Sequence, residues 1–360
     1  VRDKRFRYFR NYMPYVTYAQ NIDYMNEMPM LQDLRRLNRE GKLTPDQAKW
    51  FAPRKPLEEL YDVEADPHEL NNLAGDPTFQ ADLQRLRAAH EQWMKDSGDL
   101  GLIPEPELDR WREGNGVLTV LPPIILPTRE GIVVKPSTPG ASVSYRWADD
   151  PEKAWNLYAG PIAVRPGTKL HTVSTRIGFK DSDELVYDEN LELPQKRVVS
   201  QHPVDAEELA LPLERVRALR TLDFQANGSV PTYLENLGAD QAPLRYWAVV
   251  LLHRLVAPEK REASWTEAVR PLLEDPSNVV RVAAAHALSE WGEGDSALPT
   301  LTAILAGGSQ SERLYAVTAL GQLGEVAEPA TNALKAAQKD KWPNVRNVAG
   351  QALLRLEGTV

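Results

Sequence analysis

The side chains that most often carry chemistry are few in this chain and share no motif. The six histidines are scattered along its whole length, without the close spacing of metal ligands. They are His68, His90, His171, His202, His253 and His286. Asp149 and Asp150 are adjacent carboxylates, but they precede Pro151 in a pattern typical of a turn. The sequence therefore predicts no catalytic residue and no metal site, and packing or capping roles for His253 and His286.

The amino-acid composition limits the classes of protein to which this chain can belong. The 360 residues are 42% hydrophobic and 26% charged, as in a globular protein of two or three domains. The net charge of -9 argues against nucleic acid as a partner. The lack of cysteine excludes disulfides, thiol catalysis and cysteine-bound zinc. We expect no membrane span, because no apolar run reaches about 18 residues.

Residues 1–112 have an α+β pattern. Strands are predicted at Asp3 to Arg10 and at Glu59 to Val63, and Asp66-Pro67 is predicted to begin a helical turn. A helical insertion at Met28 to Asn38 is followed by a capping box at Thr44-Pro45-Asp46-Gln47. A longer helix begins after Asp76-Pro77 and ends at Gly98. Its apolar stripe is Phe79, Leu83, Leu86, His90, Trp93 and Met94.

Residues 117–199 predict an antiparallel β-sandwich, after a linker at Glu105 to Gly116. The segment is rich in Val, Ile, Thr and Pro, with turn signals between short apolar runs. Tyr145 and Trp147 alternate onto one face, which indicates core, although these rings with Trp155 and Tyr158 could instead stack on sugars. The runs Gly140 to Trp147, Leu157 to Ile162 and Pro166 to Leu170 resemble the immunoglobulin-like modules of chitobiases. That resemblance implies a spacer or positioning domain.

Residues 206–360 contain a repeat. Arg245, Arg281, Arg313 and Arg346 are spaced by 36, 32 and 33 residues. Three residues later stand Ala248, Ala284, Ala316 and Ala349, and seven later stand Leu252, Leu288, Leu320 and Leu353. Small and large residues at fixed positions are what stacked helix pairs require. The pattern resembles HEAT-like repeats and predicts an all-α solenoid with a possible protein partner.

One stretch of the first segment resembles a sulfatase C-terminus. Between Lys55 and Ala74 the chain reads Glu59-Leu60-Tyr61-Asp62, then Asp66-Pro67, Glu69 and Asn72-Leu73-Ala74. This pattern is similar to the small C-terminal subdomain of the arylsulfatase family, over roughly the first 110 residues. The resemblance implies a multidomain α+β protein: a small α+β sulfatase C-terminal subdomain, the sandwich and the solenoid.

The sulfatase nucleophile motif has no counterpart here. Family members carry Cys or Ser followed by x-Pro-x-Arg, whose first residue becomes formylglycine beside a bound Ca²⁺. The nearest candidate, Ser137 to Ala141, has Ala141 where the arginine is needed. The resemblance therefore implies that Ca²⁺ and formylglycine belong to a catalytic domain missing from this chain. We expect that upstream part because the chain begins at Val1 without an initiator methionine.

A tyrosine-rich loop supplies the candidate substrate residues. Arg7 to Pro14 resembles the heparan N-sulfatase-like branch, in which this stretch leads to the rim of the substrate pocket. The resemblance implies five substrate-facing residues: Asn11, Tyr12, Tyr15, Tyr18 and Gln20. The alternative is that they pack against the missing catalytic domain. The basic strand before them could attract a sulfated glycan or be a solvated face.

Three functional hypotheses follow from the sequence. The first is the non-catalytic C-terminal portion of a bacterial sulfatase that hydrolyses sulfate esters or sulfamates of a glycan, periplasmic or extracellular, and inactive without its own N-terminal domain. The second is a stand-alone scaffold that binds glycan or protein. The third is a related hydrolase of the alkaline-phosphatase superfamily, such as a phosphodiesterase. The residues upstream of Val1 discriminate among them.

Overall fold

This computed structural model describes residues 1–20, 22, 25, 27–113, 119–152, 154–177, 179–188 and 211–357. The chain divides into two compact units. One unit joins Val1–Pro104 to Pro212–Val360, and the other is Glu105–Leu211. The first predicted segment and the helical repeats thus lie in the same unit. The predicted boundaries at residues 117, 199 and 206 fall outside the described residues.

The first part of the larger unit is a two-stranded sheet with helices packed against it. Its elements are β1 (Phe6–Arg10), α1 (Pro29–Arg39), α2 (Pro45–Lys49), β2 (Glu58–Asp62) and α3 (Gln80–Asp96), the last entered through a 3₁₀ turn at Pro77–Phe79. The strands are antiparallel, from Phe6 opposite Asp62 to Arg10 opposite Glu58. Phe6 and Tyr8 alternate inward and pack with Leu60, Leu83 and Leu86.

Several local predictions for this part are confirmed. The hydroxyl of Thr44 accepts a hydrogen bond from the Gln47 amide, and the Gln47 side chain accepts one from the Thr44 amide, which completes the predicted capping box. The carboxylate of Asp76 accepts a bond from the Thr78 amide. The chain leaves α3 through Gly98, whose φ of 60° a residue with a Cβ rarely adopts.

One prediction for this part holds only in part and another is wrong. A turn begins at Asp66-Pro67, in which the Glu69 amide donates to the Asp66 carbonyl at 3.1 Å, but it does not continue as a helix. The Asp66 carboxylate accepts a bond from the Asn71 amide, and Glu69 adopts a φ of 55°. Trp93 does not join the buried stripe of α3, because 52% of it is exposed. Leu83, Leu86 and Met94 are buried as expected.

In its described residues, the smaller unit contains one helix and two antiparallel sheets. Its elements are α4 (Glu105–Glu113), β3 (Ile124–Thr128), β4 (Gly131–Lys135), β5 (Ser142–Trp147), β6 (Asn156–Leu157), β7 (Leu170–Thr175) and β8 (Leu185–Tyr187). The first sheet pairs β3 with β4, and the second has the order β6-β5-β7-β8. The predicted linker at Glu105 to Gly116 is therefore mostly helix, with 114–116 outside the described residues.

Both sheets of the smaller unit contribute to one core. Ile125, Ile132 and Val134 of the first sheet pack with Val143, Trp147 and Leu170 of the second. Trp147 is 3% exposed and Tyr145 packs against the same core, as the alternation predicted. Trp155 is 43% exposed and lies under the Arg146 guanidinium, 4.9 Å from the ring centre. An immunoglobulin-like topology remains a prediction.

The helical region completes the larger unit. Its helices are α5 (Leu213–Thr221), α6 (Val230–Asn236), α7 (Ala242–Arg254), α8 (Ala263–Val269), α9 (Asn278–Leu288), α10 (Gly294–Gly307), α11 (Gln310–Leu323), α12 (Thr331–Ala337) and α13 (Pro343–Leu356). The four aligned arginines lie in α7, α9, α11 and α13, and the four aligned alanines are fully buried. Fully buried alanines allow neighbouring helices to approach closely, which is why the repeat keeps a small residue there.

Contacts specific to the repeat tie one helix pair to the next. Arg245 makes two hydrogen bonds to the Asp275 carboxylate, at 2.7 and 2.9 Å. Arg313 forms an ion pair with Asp340 at 3.2 Å. Arg281 bonds the Leu273 carbonyl at 2.8 Å. The arginines at three of the predicted positions therefore contact residues that lie between α-helices.

Candidate functional site

A cleft of about 560 Å³ lies within the larger unit, between its first part and the repeats. The first part contributes Tyr12, Tyr15 and His90, and helices α7, α9 and α11 contribute the opposite wall. That wall includes Tyr246, His253, Arg254, His286, Tyr315 and Gln322. Concave sites of this size with a few polar groups are typical of small-molecule or saccharide binding.

Tyrosine rings form part of the cleft lining. The Tyr246 ring lies edge-on to Tyr315, with centres 6.3 Å apart, and Tyr15 faces the Arg254 guanidinium at 5.9 Å. Burial raises the pKa of Tyr15 to about 12 and that of Tyr246 well above its usual range, so both phenols stay protonated. Among the described residues, neither hydroxyl has a hydrogen-bond partner. Tyr15 and Tyr246 therefore present aromatic rings and two available hydroxyl groups to the cleft.

Four polar residues of the cleft, His253, Arg254, His286 and Gln322, belong to a hydrogen-bonded network that includes Glu290, which follows α9. His253 Nε2 lies 2.8 Å from Glu290 Oε2, and Arg254 Nη1 donates to Glu290 Oε1 at 3.0 Å. Arg254 Nη2 lies 2.8 Å from His286 Nε2 and 3.2 Å from Gln322 Oε1. One guanidinium thus links α7, α9 and α11.

The histidines of this network are held neutral. Burial lowers the pKa of His286 to about 4, helped by the neighbouring His253 and Arg254, and burial likewise lowers the pKa of His253. Burial acts to raise the pKa of Glu290, but its contacts with the two histidines and the charge of Arg254 outweigh burial, and the net shift is downward. His286 Nε2 lies 3.3 Å from Glu290 Oε1 as well as close to Arg254. A neutral His286 can accept from Arg254 through Nε2, while His253 donates to the ionised Glu290.

The predicted substrate residues separate into two groups. Tyr12 and Tyr15 line the cleft. The Tyr12 hydroxyl lies 3.2 Å from His90 Nε2 and donates to Met94 Sδ at 3.0 Å. Of the two, Tyr15 is therefore the residue whose hydroxyl remains available to a ligand.

The side chains of Asn11 and Tyr18 instead donate hydrogen bonds to the buried Glu59. Asn11 Nδ2 donates to Glu59 Oε1 at 2.6 Å, and the hydroxyls of Tyr18 and Tyr61 donate to the same carboxylate at 2.5 Å. Gln20 is exposed, and its amide bonds the Tyr18 carbonyl at 2.8 Å. The polar groups of Asn11 and Tyr18 are thus occupied in this structure, and their proposed contact with substrate stays a prediction.

The basic strand is compensated by carboxylates. Arg5 pairs with Asp62 at 2.6 Å, Arg7 with Glu69 at 2.8 Å and Arg10 with Asp223 at 2.9 Å. These pairs leave less positive charge on the strand than its sequence indicates.

Sequence reasoning did not identify the repeat wall of the cleft. Tyr246, His253 and Tyr315 lie on the repeat helices but outside the aligned alanine and leucine positions. A signal was present nine residues after each aligned arginine, where Arg254, Glu290, Gln322 and Arg355 stand. Polar residues at a fixed repeat position indicate a shared exposed edge of the stack.

Comparison with known proteins gives two kinds of match. Residues 230–321 match the family model for HEAT repeats. A protein of Formosa agariphila named ulvan-active sulfatase is 40% identical over 187 residues, which are 51% of this chain and 31% of that protein. A second ulvan-active sulfatase of the same organism is 30% identical over 100 residues, 28% of this chain and 18% of the relative.

This chain spans less than a third of the length of either sulfatase it matches. The matches relate it to part of a sulfatase, and they relate its helical region to HEAT repeats.

Proposed function

We propose that this chain is the non-catalytic C-terminal part of a sulfatase acting on sulfate esters or sulfamates of a sulfated polysaccharide. It completes the fold of the parent enzyme and positions the polymer. The similarity to two proteins named ulvan-active sulfatases supports this substrate class. Because a polysaccharide is met outside the cytoplasm, the parent would work in the periplasm or outside the cell.

The observation that carries the proposal is the cleft shared by the sulfatase-like segment and the repeats. Trp247 Nε1 donates to the Leu102 carbonyl at 2.6 Å, and Arg217 donates to the Met94 carbonyl at 2.9 Å. These bonds attach the repeats to the end of α3 and the segment after it. The repeats therefore add a binding wall to the sulfatase-like segment itself.

The tyrosine side chains of the cleft have the properties needed to bind a sugar. Rings of Tyr and Trp pack on the apolar faces of saccharide rings, and phenol, imidazole and amide groups bond to hydroxyls. Tyr15 and Tyr246 supply both features in one place. The substrate-facing role proposed for Tyr12 and Tyr15 is compatible with this position.

The chemical step belongs, in this proposal, to a part of the enzyme upstream of Val1. The chain has no cysteine to become formylglycine. Among the residues that the structure describes, no three His, Asp or Glu side chains come together as ligands of a metal ion. These residues do not fit a Ca²⁺ site, and we derive no catalytic step through one.

Sulfate release from the polysaccharide tests the proposal. We expect no release by the purified 360-residue chain, release by the parent enzyme, and a lower kcat/KM on the polymer when Tyr15 and Tyr246 are both changed to alanine in the parent. Turnover of a small aryl sulfate by that variant should be unchanged. The proposal is wrong if the isolated chain hydrolyses an aryl sulfate at a rate that depends on its own residues.

The alternative of a stand-alone glycan-binding scaffold has one observation in its favour, because the cleft is formed wholly by this chain. The codons upstream of Val1 decide between the two. An open frame with Cys-x-Pro-x-Arg supports the sulfatase. A start codon with a signal peptide directly before Val1 supports the scaffold.

A further inference from the structure

Three arginines converge on a second cavity of the larger unit. Arg35 and Arg39 lie one turn apart on α1, and Arg355 lies near the end of α13. They line a cavity of about 230 Å³ together with Thr17, Asn38 and Gln351. We name this site the arginine cavity.

Among the described residues, no ion pair or hydrogen bond joins these arginines to a carboxylate, although the charge of Arg39 acts on the neighbouring Glu40. Arg355 donates to the Gly321 carbonyl at 3.0 Å. By contrast, Arg36 on the same helix pairs with Asp33 at 3.2 Å and with Glu40 at 3.0 Å. In a chain of net charge -9, three arginines at one cavity without a directly paired carboxylate form a local exception.

The clustering has an electrostatic cost. Partial burial, and then the charge of Arg35, lower the pKa of Arg355, so its cationic form is disfavoured where it stands. Like charges around a cavity repel each other, and an anion placed between them would remove that repulsion. Guanidinium groups match the paired oxygens of carboxylates, sulfates and phosphates.

Residues of the arginine cavity and of the cleft both contact the C-terminal end of α11. Arg355 occupies the repeat position held by Arg254, Glu290 and Gln322 in the preceding helices. Arg254 reaches Gln322 in the cleft, and Arg355 bonds the carbonyl of the residue before it, Gly321. Residues of the two sites therefore contact adjacent positions of α11, Gly321 and Gln322.

We propose that the arginine cavity binds an anionic substituent, a sulfate ester or carboxylate, of a polysaccharide whose neighbouring sugar lies in the cleft. The proposal rests on the proposed function for the nature of the polymer. Thr17, Asn38 and Gln351 supply groups for the hydroxyls beside that substituent. The same chemistry would admit free inorganic sulfate, and the experiment separates the two ligands.

Calorimetric titration of the 360-residue chain tests the proposal. The probes are sulfated ulvan oligosaccharides, the same oligosaccharides after chemical desulfation, and sodium sulfate at matched ionic strength. The test variant is Arg35→Gln with Arg355→Gln, and the matched control is Arg36→Gln. We expect affinity for the sulfated probe to fall about tenfold or more in the test variant and to change less than about twofold in the control.

Thermal melting separates ligand binding from a structural role. Removing two repelling cations should leave the Tm unchanged or raise it at low salt, whereas a pair that stabilises the fold would lower it. Equal loss of affinity in Arg36→Gln and the test variant would overturn the proposal, as would undiminished binding of the desulfated probe. Tighter binding of sodium sulfate than of the oligosaccharide would assign the cavity to the free ion and overturn the polymer site.

Failure of this inference is distinguishable from failure of the proposed function. Binding is measured on this chain alone, whereas sulfate release is measured on the parent enzyme. A parent that needs Tyr15 and Tyr246 but binds equally well without Arg35 and Arg355 would disprove only the arginine cavity. If the isolated chain hydrolyses an aryl sulfate through its own residues but loses affinity in the test variant, only the proposed function fails.

Discussion

Arg10 and Asp223 form a buried ion pair across 213 residues of sequence, with Arg10 Nη2 2.9 Å from Asp223 Oδ2. Their side chains are 5% and 0% exposed. Asp223 also accepts bonds from Arg220, at 2.8 Å from Nη2 and 3.1 Å from Nε. One carboxylate thus forms ion pairs with a guanidinium of the first strand and with another of the helical region, and it joins the two parts of the larger unit.

Replacing Asp223 by alanine should destabilise the larger unit strongly. The change leaves Arg10 and Arg220 buried without their shared anion, and loss of one partner of a buried pair typically costs about 3–5 kcal/mol. Arg10→Met should cost less, because Arg220 still neutralises Asp223. Urea unfolding followed by tryptophan fluorescence measures both changes in the free energy of unfolding.

Asp33→Ala is the control for that comparison. Asp33 pairs with Arg36, but its side chain is 69% exposed. An exposed pair of this kind contributes about 1 kcal/mol or less. If Asp223→Ala and Asp33→Ala unfold at the same urea concentration, Asp223 is not the anion that holds the two parts together.

Leu320→Asp tests the helix register predicted from the repeat. Leu320 is 1% exposed between stacked helices, and a carboxylate there would be buried without a partner. We expect a loss of about 4 kcal/mol, seen as a large decrease in Tm by circular dichroism at 222 nm. Leu354→Asp is the matched control, since Leu354 is 37% exposed on the last helix. An unchanged Tm for Leu320→Asp would contradict the register.

Local and periodic features of the fold could be predicted from sequence. The Thr44 capping box depends on residues three apart, and the buried alanines at 248, 284, 316 and 349 recur at a constant offset from an arginine. Both signals are contained in short stretches of chain, so neither requires knowledge of distant contacts.

The features that sequence reasoning missed depend on distant residues. Glu69, in the turn that follows Asp66, pairs with Arg7, 62 residues away. The sequence alone allows Arg10 to be a solvated strand residue, because nothing near it in sequence indicates its contact with Asp223. The cleft likewise depends on the approach of Tyr15 to Tyr246, which no local pattern specifies. Tertiary contacts of this kind override local propensity.

The neutral state of His286 predicts how stability depends on pH. Burial lowers its pKa from an ordinary value of 6.5 to about 4 in the folded chain. Above pH 6.5 both folded and unfolded chains carry a neutral imidazole. Between pH 6.5 and 4 only the unfolded chain binds the proton, so the free energy of unfolding falls as the pH falls, by up to about 1.4 kcal/mol per pH unit for this group.

Unfolding experiments at pH 7 and pH 5 check this dependence. His286→Gln should remove part of the decrease in stability, because glutamine has no proton to gain and can still accept from Arg254. His68→Gln, at an exposed turn, should leave the decrease intact. The nitrogen chemical shifts of His286 at pH 6 provide a second measurement, in which Nε2 should be unprotonated since it accepts from Arg254 Nη2. Parallel stability curves for the original chain and His286→Gln, or a protonated Nε2, would show that His286 is not the neutral acceptor of this network.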